Sequence, residues 1–431
     1  MRDKKSTLPL KKAMQNIKIN KFGGASVRSA KAIRDLLAII KSIDGKQVVV
    51  VSAMGKTTNK LELLTKLWFD GNSDYISIFN EIKNDHLAIS AELFGEKHDE
   101  IEHTFDALFE LLQKPSSLDY NYEYDKIVSF GEILSTKIVA KYLSSQLNNV
   151  TWLDIRTILK TDQIFREASV DWELSAKMTS KTISFATTDI YVTQGFIGST
   201  KSNLTTTLGR EGSDYTAAAL AWLLNSESVT VWKDVPGIMN ADPKWLENPT
   251  KIDKLSYAET VELSYYGAKV IHPKTLRPLQ QKGIPLYVKS FLNPTLQGTE
   301  INNLHHKHNT PFYIRKENQV LVTLYPQDFS FMEHHNIQLI QGILSEYRLQ
   351  VNLIQMSALS FSFCFDQSPQ IWDALKDALS NLFRLKFNTC TELITIRHYN
   401  EDAIERVTNN TKVFLEQKTR KTVQFVLEAK R

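Results

Sequence analysis

The sequence predicts an α/β protein, with an open and mainly parallel sheet between helices, followed by small α+β modules. Residues 47–52, QVVVVS, form a continuous apolar run of the kind that is buried on both faces in a parallel sheet. Residues 190–232 read as strand, glycine loop, helix and strand, which is a βαβ unit. After residue 319 the pattern changes to short strands that alternate with helices. These observations place a parallel domain first and a smaller α+β region after it.

Size and composition limit the classes of protein to which this chain can belong. The 431 residues suit two or three domains, and 42% apolar with 23% charged residues is typical of a soluble globular protein. The net charge of +4 is spread along the chain, which argues against a dedicated nucleic-acid binder. Cys364 and Cys390 provide neither a disulfide framework nor metal-ligand spacing, so the predicted compartment is a reducing cytoplasm.

The first residues of the chain are polar and basic. Residues 1–16 contain no apolar core of signal-peptide length, so we predict a flexible N-terminal tail there. No run approaches the roughly 18 apolar residues that a membrane span needs. We therefore expect neither a membrane nor a nucleic acid as a partner.

The first predicted strand, residues 17–22, ends at Gly23 and Gly24. Lys21, at the end of this strand, can reach a phosphate bound over the two glycines. A solvated lysine is the alternative on these residues alone. Ser26 can cap the helix that follows.

The second predicted strand, residues 47–52, ends at Ser52 and Ala53. The triplet Gly55-Lys56-Thr57 suggests a P-loop just beyond it. That motif requires a glycine where Val50 stands, so we reject the P-loop interpretation.

We predict a helical insertion at residues 60–114. A further helix is predicted at residues 124–147, and it contains Gly131 and Glu132. A glycine inside a helix costs about 1 kcal/mol and usually has a packing or access reason. Glu132 can therefore point into a cleft, although a solvent-facing glutamate is the ordinary alternative. The strand that follows, residues 150–155, leads into an Asp-Ile-Arg triplet to which we give a supporting role.

The loop before the predicted helix 215–225 contains Gly209 and Gly212. Glycines leave backbone N–H groups free, and at a helix N-terminus such groups form an anion site. Ser213 or Asp214 can cap this helix, so a polar βα turn is the alternative. The next strand, residues 229–232, runs into the sequence KDVPG.

The remainder of the chain closes the first domain and builds a second one. Ser256 and Glu259 form a capping box for a helix that ends at Gly267, where the segment GAKVIHP begins. A strand at 285–291 precedes the end of the first domain near residue 301, and residues 302–318 are polar and unpatterned, as in a linker. Beyond it we predict strands at 320–325, 350–355, 359–365, 392–397 and 422–428, and helices at 333–347, 369–383 and 401–417.

Several motifs occur along the chain in a characteristic order. They read KFGGASV, SFGE, TQGFIG, TTTLGREGSD, WKDVPGI, DP and GAKVIHP. This order resembles the amino acid kinase family and, within it, the aspartate kinases, which carry KFGGTSV, SxGE, TQGFIG, TTTLGRGGSD, W-x-D-V-P-G-I, DP and GAKVLHP. The resemblance covers about residues 18–365. It implies an amino acid kinase fold at 17–301 and tandem ACT-like, ferredoxin-like modules at 319–431, the second of them abbreviated.

The resemblance implies a kinase that transfers the γ-phosphoryl group of ATP to the side-chain carboxylate of L-aspartate. This is the first step of lysine, threonine and methionine (diaminopimelate) biosynthesis. Two anions meet in the reaction, so it requires charge neutralisation more than acid–base chemistry, and His272 is expected to be structural. The implied cofactors are ATP and Mg²⁺ carried by ATP, without a metal site of the protein. The implied protein partner is a second copy, bound through the ACT-like region.

The family's roles fall on the matching residues of this chain. Lys21 and Lys269 are expected to contact the transferring phosphoryl group, and Asp214 to organise them. Arg210 is expected to hold the α-carboxylate bidentately, and Glu132 the α-ammonium. The other implied positions are Ser52, Ala53, Thr58 and Ser213 for the substrate, and Gly23, Gly24, Ser26, Lys233, Asp234, Met239, Asp242 and Lys244, with Lys21 and Lys269, for ATP.

The chain departs from the family's pattern at a few positions. Glu211 stands where the family has glycine, Met239 where many relatives have tyrosine, and Lys244 where many have arginine. Lysine-inhibited relatives have a Gly-Phe-Leu turn and a strand SVDLITTSE in the first module, where this chain has HNI and QVNLIQMSA. Asn352 replaces an aspartate and Ala358 a glutamate. The module has therefore either lost its ligand or changed its effector, and lysine is expected to inhibit weakly.

Two alternative functions follow from the same residues. Another amino acid kinase, acting on glutamate, acetylglutamate or a nucleotide, would lack the SxGE segment and usually the tandem module. A catalytically silent amino-acid sensor would use only the C-terminal module. Against the sensor, Lys21, Arg210, Asp214 and Lys269 are all intact.

Overall fold

The structure is a computed structural model that describes residues 15–95, 99–117, 119–268, 270–306, 310–328 and 330–429. The chain forms two compact units. The first contains the residues up to 238 together with 251–257 and 271–305, and the second contains 239–250, 258–270 and the residues from 306 onward. Residues 1–14 of the predicted tail, and Lys269, lie outside the described residues.

The part of the chain up to residue 302 alternates strands and helices. In order they are β1 Gln15–Phe22, α1 Ala30–Lys41, β2 Lys46–Val51, α2 Thr57–Phe69, α3 Tyr75–Phe94, α4 Asp99–Leu112, α5 Tyr120–Val128, α6 Phe130–Gln146, β3 Val150–Leu153, α7 Trp172–Thr182, β4 Ile190–Gln194, β5 Ile197–Ser199, β6 Thr205–Thr207, α8 Gly212–Leu224, β7 Ser226–Lys233, β8 Ile238–Met239, β9 Lys251–Ile252, β10 Lys254–Ser256, α9 Tyr257–Tyr266, α10 Pro273–Lys282, β11 Leu286–Ser290 and β12 Thr299–Asn302.

The first unit is built on an eight-stranded sheet with the order β10-β12-β11-β7-β1-β2-β4-β3. Its neighbours pair in parallel, apart from the antiparallel pair of β11 and β12. Lys21 of β1 is in register with Val50 of β2 and Val231 of β7. The three central strands therefore end at the same edge of the sheet, as the predicted βαβ pattern requires.

Helices α6 and α8 pack against strands of this sheet, whose β2 is buried along residues 47–51. Ile33, Leu36 and Ile40 of helix α1 are buried in a core that also contains residues of β1, β2 and the helices α2 to α6. Helix α8 is buried along an alanine-rich run, residues 217–221. Small side chains let this helix lie close to the sheet, so its N-terminus is fixed at the sheet edge.

Two local predictions in this unit are wrong. Residues 24–27 form a 3₁₀ turn, so helix α1 starts later and its cap is Ser29, which accepts from the Ala32 N–H at 3.2 Å, rather than Ser26. The helix predicted at 124–147 is two helices that meet at Ser129. Just after the break, a Cβ at Gly131 would lie 2.9 Å from that of Ala53, so α6 starts in close contact with the end of β2.

The second unit contains a six-stranded sheet, and its neighbours pair antiparallel. Its further elements are β13 Phe312–Tyr325, α11 His334–Glu346, β14 Val351–Met356, β15 Phe361–Asp366, α12 Pro369–Ser380, β16 Arg384–Arg397, α13 Glu401–Thr408, β17 Val413–Lys418 and β18 Thr422–Glu428. The order is β14-β15-β13-β16-β18-β17. Strands β13 to β16 with α11 and α12 form a βαββαβ ferredoxin-like module, which confirms the predicted fold class.

Three predictions in this region differ from the structure. The helix predicted at 401–417 ends at Thr408, and residues 413–418 form β17 paired with β18. Asn410 has a φ of 56°, which turns the chain out of the helix. The strand predicted at 392–397 begins at Arg384, and the strand predicted from residue 320 begins at Phe312, inside the predicted linker.

Candidate active site

The ends of β1, β2 and β7 open into a cleft of about 1060 Å³ in the first unit. The predicted site residues that line it are Lys21, Gly23, Gly24, Ser26, Ser52, Thr58, Glu132, Arg210, Ser213, Asp214, Lys233 and Asp234. In α/β folds, ligands bind at this edge, outside the carboxyl ends of parallel strands. The structure thus gathers most of the predicted residues around one cavity.

Lys21 and Asp214 line this cleft and form a largely buried ion pair. Their Nζ and Oδ1 atoms are 2.6 Å apart, and the side chains are 12% and 5% exposed. Burial alone would raise the pKa of Asp214, but the charges of Lys21 and Lys233 outweigh it, so the pKa is lowered. Asp214 also lies in the first turn of α8, where the helix dipole favours negative charge. The carboxylate is therefore ionised and can orient the lysine.

The turn after β1 is packed against the turn after β2. A Cβ at Gly24 would lie 2.7 Å from the carbonyl oxygen of Ala53, and the Gly55 N–H donates to the carbonyl of Gly24 at 3.0 Å. Only glycine allows so close an approach. The Lys21 Nζ lies 3.7 Å from the Cβ position of Gly23, so the ammonium lies over the glycine turn, where a phosphate can be bound.

The loop that precedes α8 uses left-handed backbone at two positions. Gly209 has a φ of 74° and Glu211 a φ of 54°. Glu211 is the N-cap of α8 but gives no side-chain cap, so neither Ser213 nor Asp214 takes the capping role that was open to them. Its Oε2 instead accepts from the backbone N–H of His272 at 2.9 Å. Arg210, which stands between Gly209 and Glu211 in the sequence, is exposed and lines the cleft.

Glu132 is a buried carboxylate at the same cleft. Its Oε1 accepts from the Ala53 N–H at 3.3 Å, while Oε2 has no hydrogen-bond partner in the described part of the chain. Burial raises the pKa of Glu132 to about 8, and the Ala53 N–H and the charge of Lys21 only partly oppose this. The Oε2 atom of Glu132 is an acceptor without a partner in the wall of a cavity. It can accept a hydrogen bond from a ligand, in particular from a ligand group that carries a positive charge.

A wall of the cleft that the sequence did not indicate is formed by residues 164–167. It is held by Asp125, which accepts from the N–H of Arg166 at 3.0 Å and from the N–H and hydroxyl of Thr207 at 2.8 and 2.7 Å. Asp125 is fully buried, and burial raises its pKa although these donors and Arg166 oppose the shift. A carboxylate in a helical segment gives no sequence signal for this role.

Other predicted residues lie elsewhere or act indirectly. Ala53 is buried and contributes its N–H to Glu132. Met239, Asp242 and Lys244 belong to the second unit and are not among the residues that line the cleft. Lys269 is outside the described residues.

His272, with a predicted structural role, and the Asp-Ile-Arg triplet, with a predicted supporting role, have contacts that fit those roles. His272 is the N-cap of α10, and its Nδ1 accepts from the Lys274 N–H at 3.2 Å. In the Asp-Ile-Arg triplet, Arg156 pairs with Asp154 at 2.7 Å and donates to the Thr205 hydroxyl. These contacts hold the start of α10 and the segment after β3 in place.

The described residues contain neither a cluster of metal ligands nor a membrane-spanning helix. No group of three or more His, Cys, Asp or Glu side chains among them is placed to hold a metal ion. None of the described helices is long and apolar enough to cross a membrane.

Comparisons with known proteins place the chain among kinases. Residues 16–290 match the amino acid kinase family. Lysine-sensitive aspartokinase 3 of Escherichia coli is 32% identical over 359 residues, which cover 82% of this chain and 79% of that protein. Bifunctional aspartokinase/homoserine dehydrogenase 1 of Arabidopsis thaliana is 30% identical over 294 residues, 66% of this chain but 32% of that longer protein.

Solved structures agree with the sequence comparison. Aspartokinase III of E. coli, in complex with aspartate and ADP, superimposes with a TM-score of 0.79 at 28% identity and covers 95% of this chain and 96% of that one. The likeness therefore extends through both compact units. The chain belongs to the amino acid kinase family and, within it, to the aspartokinases.

Proposed function

We propose that the cleft transfers the γ-phosphoryl group of ATP to the side-chain carboxylate of L-aspartate and produces 4-phospho-L-aspartate. The observation that carries the proposal is the combination of the Lys21–Asp214 pair with the unpartnered Glu132 carboxylate in one cavity. The solved aspartokinase III holds aspartate and ADP, which are the acceptor and the spent donor of this reaction. The product would lead towards lysine, threonine and methionine.

The charges of the cleft suit the meeting of two anions. Lys21, oriented by Asp214, would neutralise negative charge on the phosphoryl group as the acceptor carboxylate approaches. Lys269 would act with it, as the family pattern implies. Ser26 and the backbone of Gly23 and Gly24 would line the donor phosphates, because they border the same cavity.

The amino acid would be held by its two α-groups. Arg210 would bind the α-carboxylate with two parallel N–H donors, and the ionised Glu132 would bind the α-ammonium. Ser52, Thr58 and Ser213 line the same cleft, so their hydroxyls would complete the contacts.

The nucleotide would be bordered by Lys233 and Asp234 at the end of β7. Asp234 is exposed there and offers the oxygen ligands that Mg²⁺ prefers, so it would hold the ion that arrives on ATP. When bound, Mg²⁺ would neutralise charge on the transferring phosphates.

The direct test is ADP release with a panel of acceptors: L-aspartate, L-glutamate, N-acetyl-L-glutamate and UMP. We expect turnover with L-aspartate and a product that hydroxylamine traps as a hydroxamate, since acyl phosphates acylate hydroxylamine. Turnover with another acceptor at a similar rate would contradict the substrate assignment. Absence of ADP release with every acceptor would favour a silent sensor.

A variant tests the acceptor contacts. Arg210→Lys keeps the charge but loses the bidentate geometry, so the KM for aspartate should rise while the KM for ATP stays near the wild-type value. An unchanged KM for aspartate would contradict the role of Arg210.

We also propose that a second copy docks on the second unit, as the ACT-like modules imply. Strand β14 lies at one edge of the six-stranded sheet, and its Ile354 and Met356 are 44% and 51% exposed. Edge strands with apolar side chains offer a template for pairing. Light scattering should give a dimer for the wild type and a monomer for the Ile354→Lys, Met356→Glu variant. A wild-type monomer would contradict the proposal.

A further inference from the structure

A second guanidinium lies in the cleft besides that of Arg210. Arg166, in the wall formed by residues 164–167, has a left-handed backbone with a φ of 69°. The backbone N–H of Arg166 donates to both carboxylate oxygens of Asp125, at 3.2 and 3.0 Å. A non-glycine residue in this conformation costs about 1 to 3 kcal/mol and persists only where the surroundings determine it. The buried Asp125 carboxylate provides that constraint.

The backbone of Arg166 runs beside the loop that carries Arg210. A Cβ at Gly209 would lie 3.2 Å from the carbonyl oxygen of Arg166, and the Ala168 N–H donates to the carbonyl of Thr207 at 2.9 Å. Asp125 binds both segments, since it also accepts from Thr207. The two arginines therefore belong to adjoining parts of one wall, and one buried carboxylate fixes both parts.

The side chain of Arg166 is supported by the Tyr124 ring, but its charged neighbour, Glu62, does not form a close hydrogen bond with it. Its guanidinium lies 4.3 Å from the centroid of the Tyr124 ring, which is a cation–π contact. Its Nη2 is 3.6 Å from Oε1 of Glu62, and Arg166 and Glu62 are 41% and 50% exposed. That separation exceeds a direct hydrogen bond, so the ion pair is loose. Glu62, Tyr124 and Arg166 all line the cleft.

We propose that Arg166 is a specificity-determining residue that binds the α-carboxylate of the amino-acid acceptor together with Arg210. Glu62, which pairs loosely with Arg166, acts as an internal stand-in for that carboxylate. The proposal rests on the proposed function, in which the other carboxylate of aspartate must reach the phosphoryl group near Lys21. The α-carboxylate is then free to bind Arg210 and the adjoining wall that contains Arg166. A planar guanidinium supported on an aromatic ring is suited to a bidentate carboxylate.

The competition with Glu62 gives two variants with opposite expected effects. Arg166→Met keeps an unbranched stem against Tyr124 and the backbone bonds to Asp125, but removes the guanidinium. It should raise the KM for aspartate about tenfold or more and leave the KM for ATP within about twofold, because hydrogen bonds to charged groups contribute more than neutral ones. Glu62→Gln should lower the KM for aspartate by up to about fivefold, since an exposed ion pair is weak.

A shortened ligand shows whether Arg166 touches the α-carboxylate. β-Alanine has the ammonium and the reacting carboxylate of aspartate but lacks the α-carboxylate. Its inhibition constant against aspartate should be the same in the wild type and in Arg166→Met, whereas the KM for aspartate should differ. An equal loss for both ligands, or a rise in the KM for aspartate in Glu62→Gln, would overturn the proposal and assign Arg166 to the packing of the wall.

The failure of this proposal can be told apart from failure of the proposed function. If the wild type phosphorylates aspartate and Arg166→Met retains the wild-type KM for aspartate, the role of Arg166 is wrong and the function stands. If the wild type releases no ADP with aspartate, the proposed function is wrong. In that case calorimetric titration of both proteins with L-aspartate decides the role, and equal affinities overturn it.

Discussion

Replacement of Glu132 by glutamine should remove a pH dependence from aspartate binding. The buried carboxyl group has a pKa of about 8, so without an ammonium group beside it Glu132 is mostly protonated at neutral pH. It must lose this proton to pair with the ammonium of aspartate. At pH 6, two units below the pKa, about one enzyme molecule in a hundred carries the ionised form. Aspartate binding is thus coupled to the release of a proton.

The KM for aspartate should therefore fall about tenfold for each pH unit between pH 6 and 7.5 and level off above about pH 8. In Glu132→Gln the KM should be raised at pH 8 and nearly independent of pH, because the amide neither titrates nor forms the ion pair. The KM for ATP should show neither change. Free aspartate keeps its ammonium and carboxylate charges over this range, so the ligand adds no slope of its own.

The same titration makes a second, ligand-free measurement possible. Below about pH 8 folded Glu132 retains a proton that the unfolded chain releases above its ordinary pKa of 4.5. The stability contributed by this group is fully present below about pH 4.5 and is lost as the pH rises to 8, by about 1.4 kcal/mol per pH unit. Glu132→Gln should flatten this part of the profile of unfolding free energy against pH.

The assay is initial-rate ADP release at saturating ATP, with aspartate varied at several pH values from 6 to 9. Glu167→Gln is a matched control, because Glu167 also lines the cleft but is exposed, and it should keep the wild-type slope. A wild-type KM for aspartate that does not change between pH 6 and 8 would refute the reasoning. A full slope that persists in Glu132→Gln would do the same.

Three further predictions follow from the site and the second unit. Lys21→Ala should lower kcat by about 10² to 10³ with a smaller effect on the KM for ATP, as loss of one preorganised donor does; near-normal turnover in a steady-state assay would count against its role. Gly24→Ala should weaken ATP binding and lower the thermal midpoint, because the new methyl meets the Ala53 carbonyl at 2.7 Å; wild-type values in calorimetry would show that the turns can separate. L-Lysine alone should inhibit weakly or not at all when kinase activity is titrated with lysine, threonine and methionine, singly and in pairs.

The sequence predicted best those parts of the fold in which local pattern and burial agree. The strand predicted at 47–52 is β2, shifted by one residue, because a run of valines buried on both faces leaves no other arrangement. The glycine loops at strand ends placed Lys21 and Asp214 at the edge where parallel strands end together, whereas their catalytic roles came from the family resemblance.

The sequence failed where a tertiary contact decides the local structure. Strand β17 was predicted as helix because its side chains are only partly buried and its pairing partner, β18, lies later in the chain. The wall that contains Arg166 depends on Asp125, whose carboxylate accepts backbone N–H groups from another part of the chain. A residue of this kind looks like an ordinary helix-surface aspartate until the fold is known.

The lysine prediction gains support from contacts within the second unit. Asn352, where lysine-inhibited relatives have aspartate, already accepts from the ammonium of Lys316 at 2.7 Å. Its amide N–H groups donate to Gln319 at 2.8 Å and to Asp366 at 2.9 Å, and the Gln319 amide donates to the same Asp366 oxygen. An incoming lysine would have to displace Lys316 and would find a neutral amide instead of a carboxylate, so its ammonium would be desolvated without full compensation.

This network also predicts what would be needed to restore sensitivity. In Asn352→Asp the new carboxylate would pair with Lys316, so added lysine should still inhibit weakly. In Asn352→Asp combined with Lys316→Met the carboxylate has lost that internal cation, and lysine should inhibit more strongly than in either single variant. The readout is kinase activity titrated with lysine. Strong inhibition of the wild type by lysine alone at submillimolar concentration would contradict the argument, because it would show that Lys316 and Asn352 do not exclude the effector.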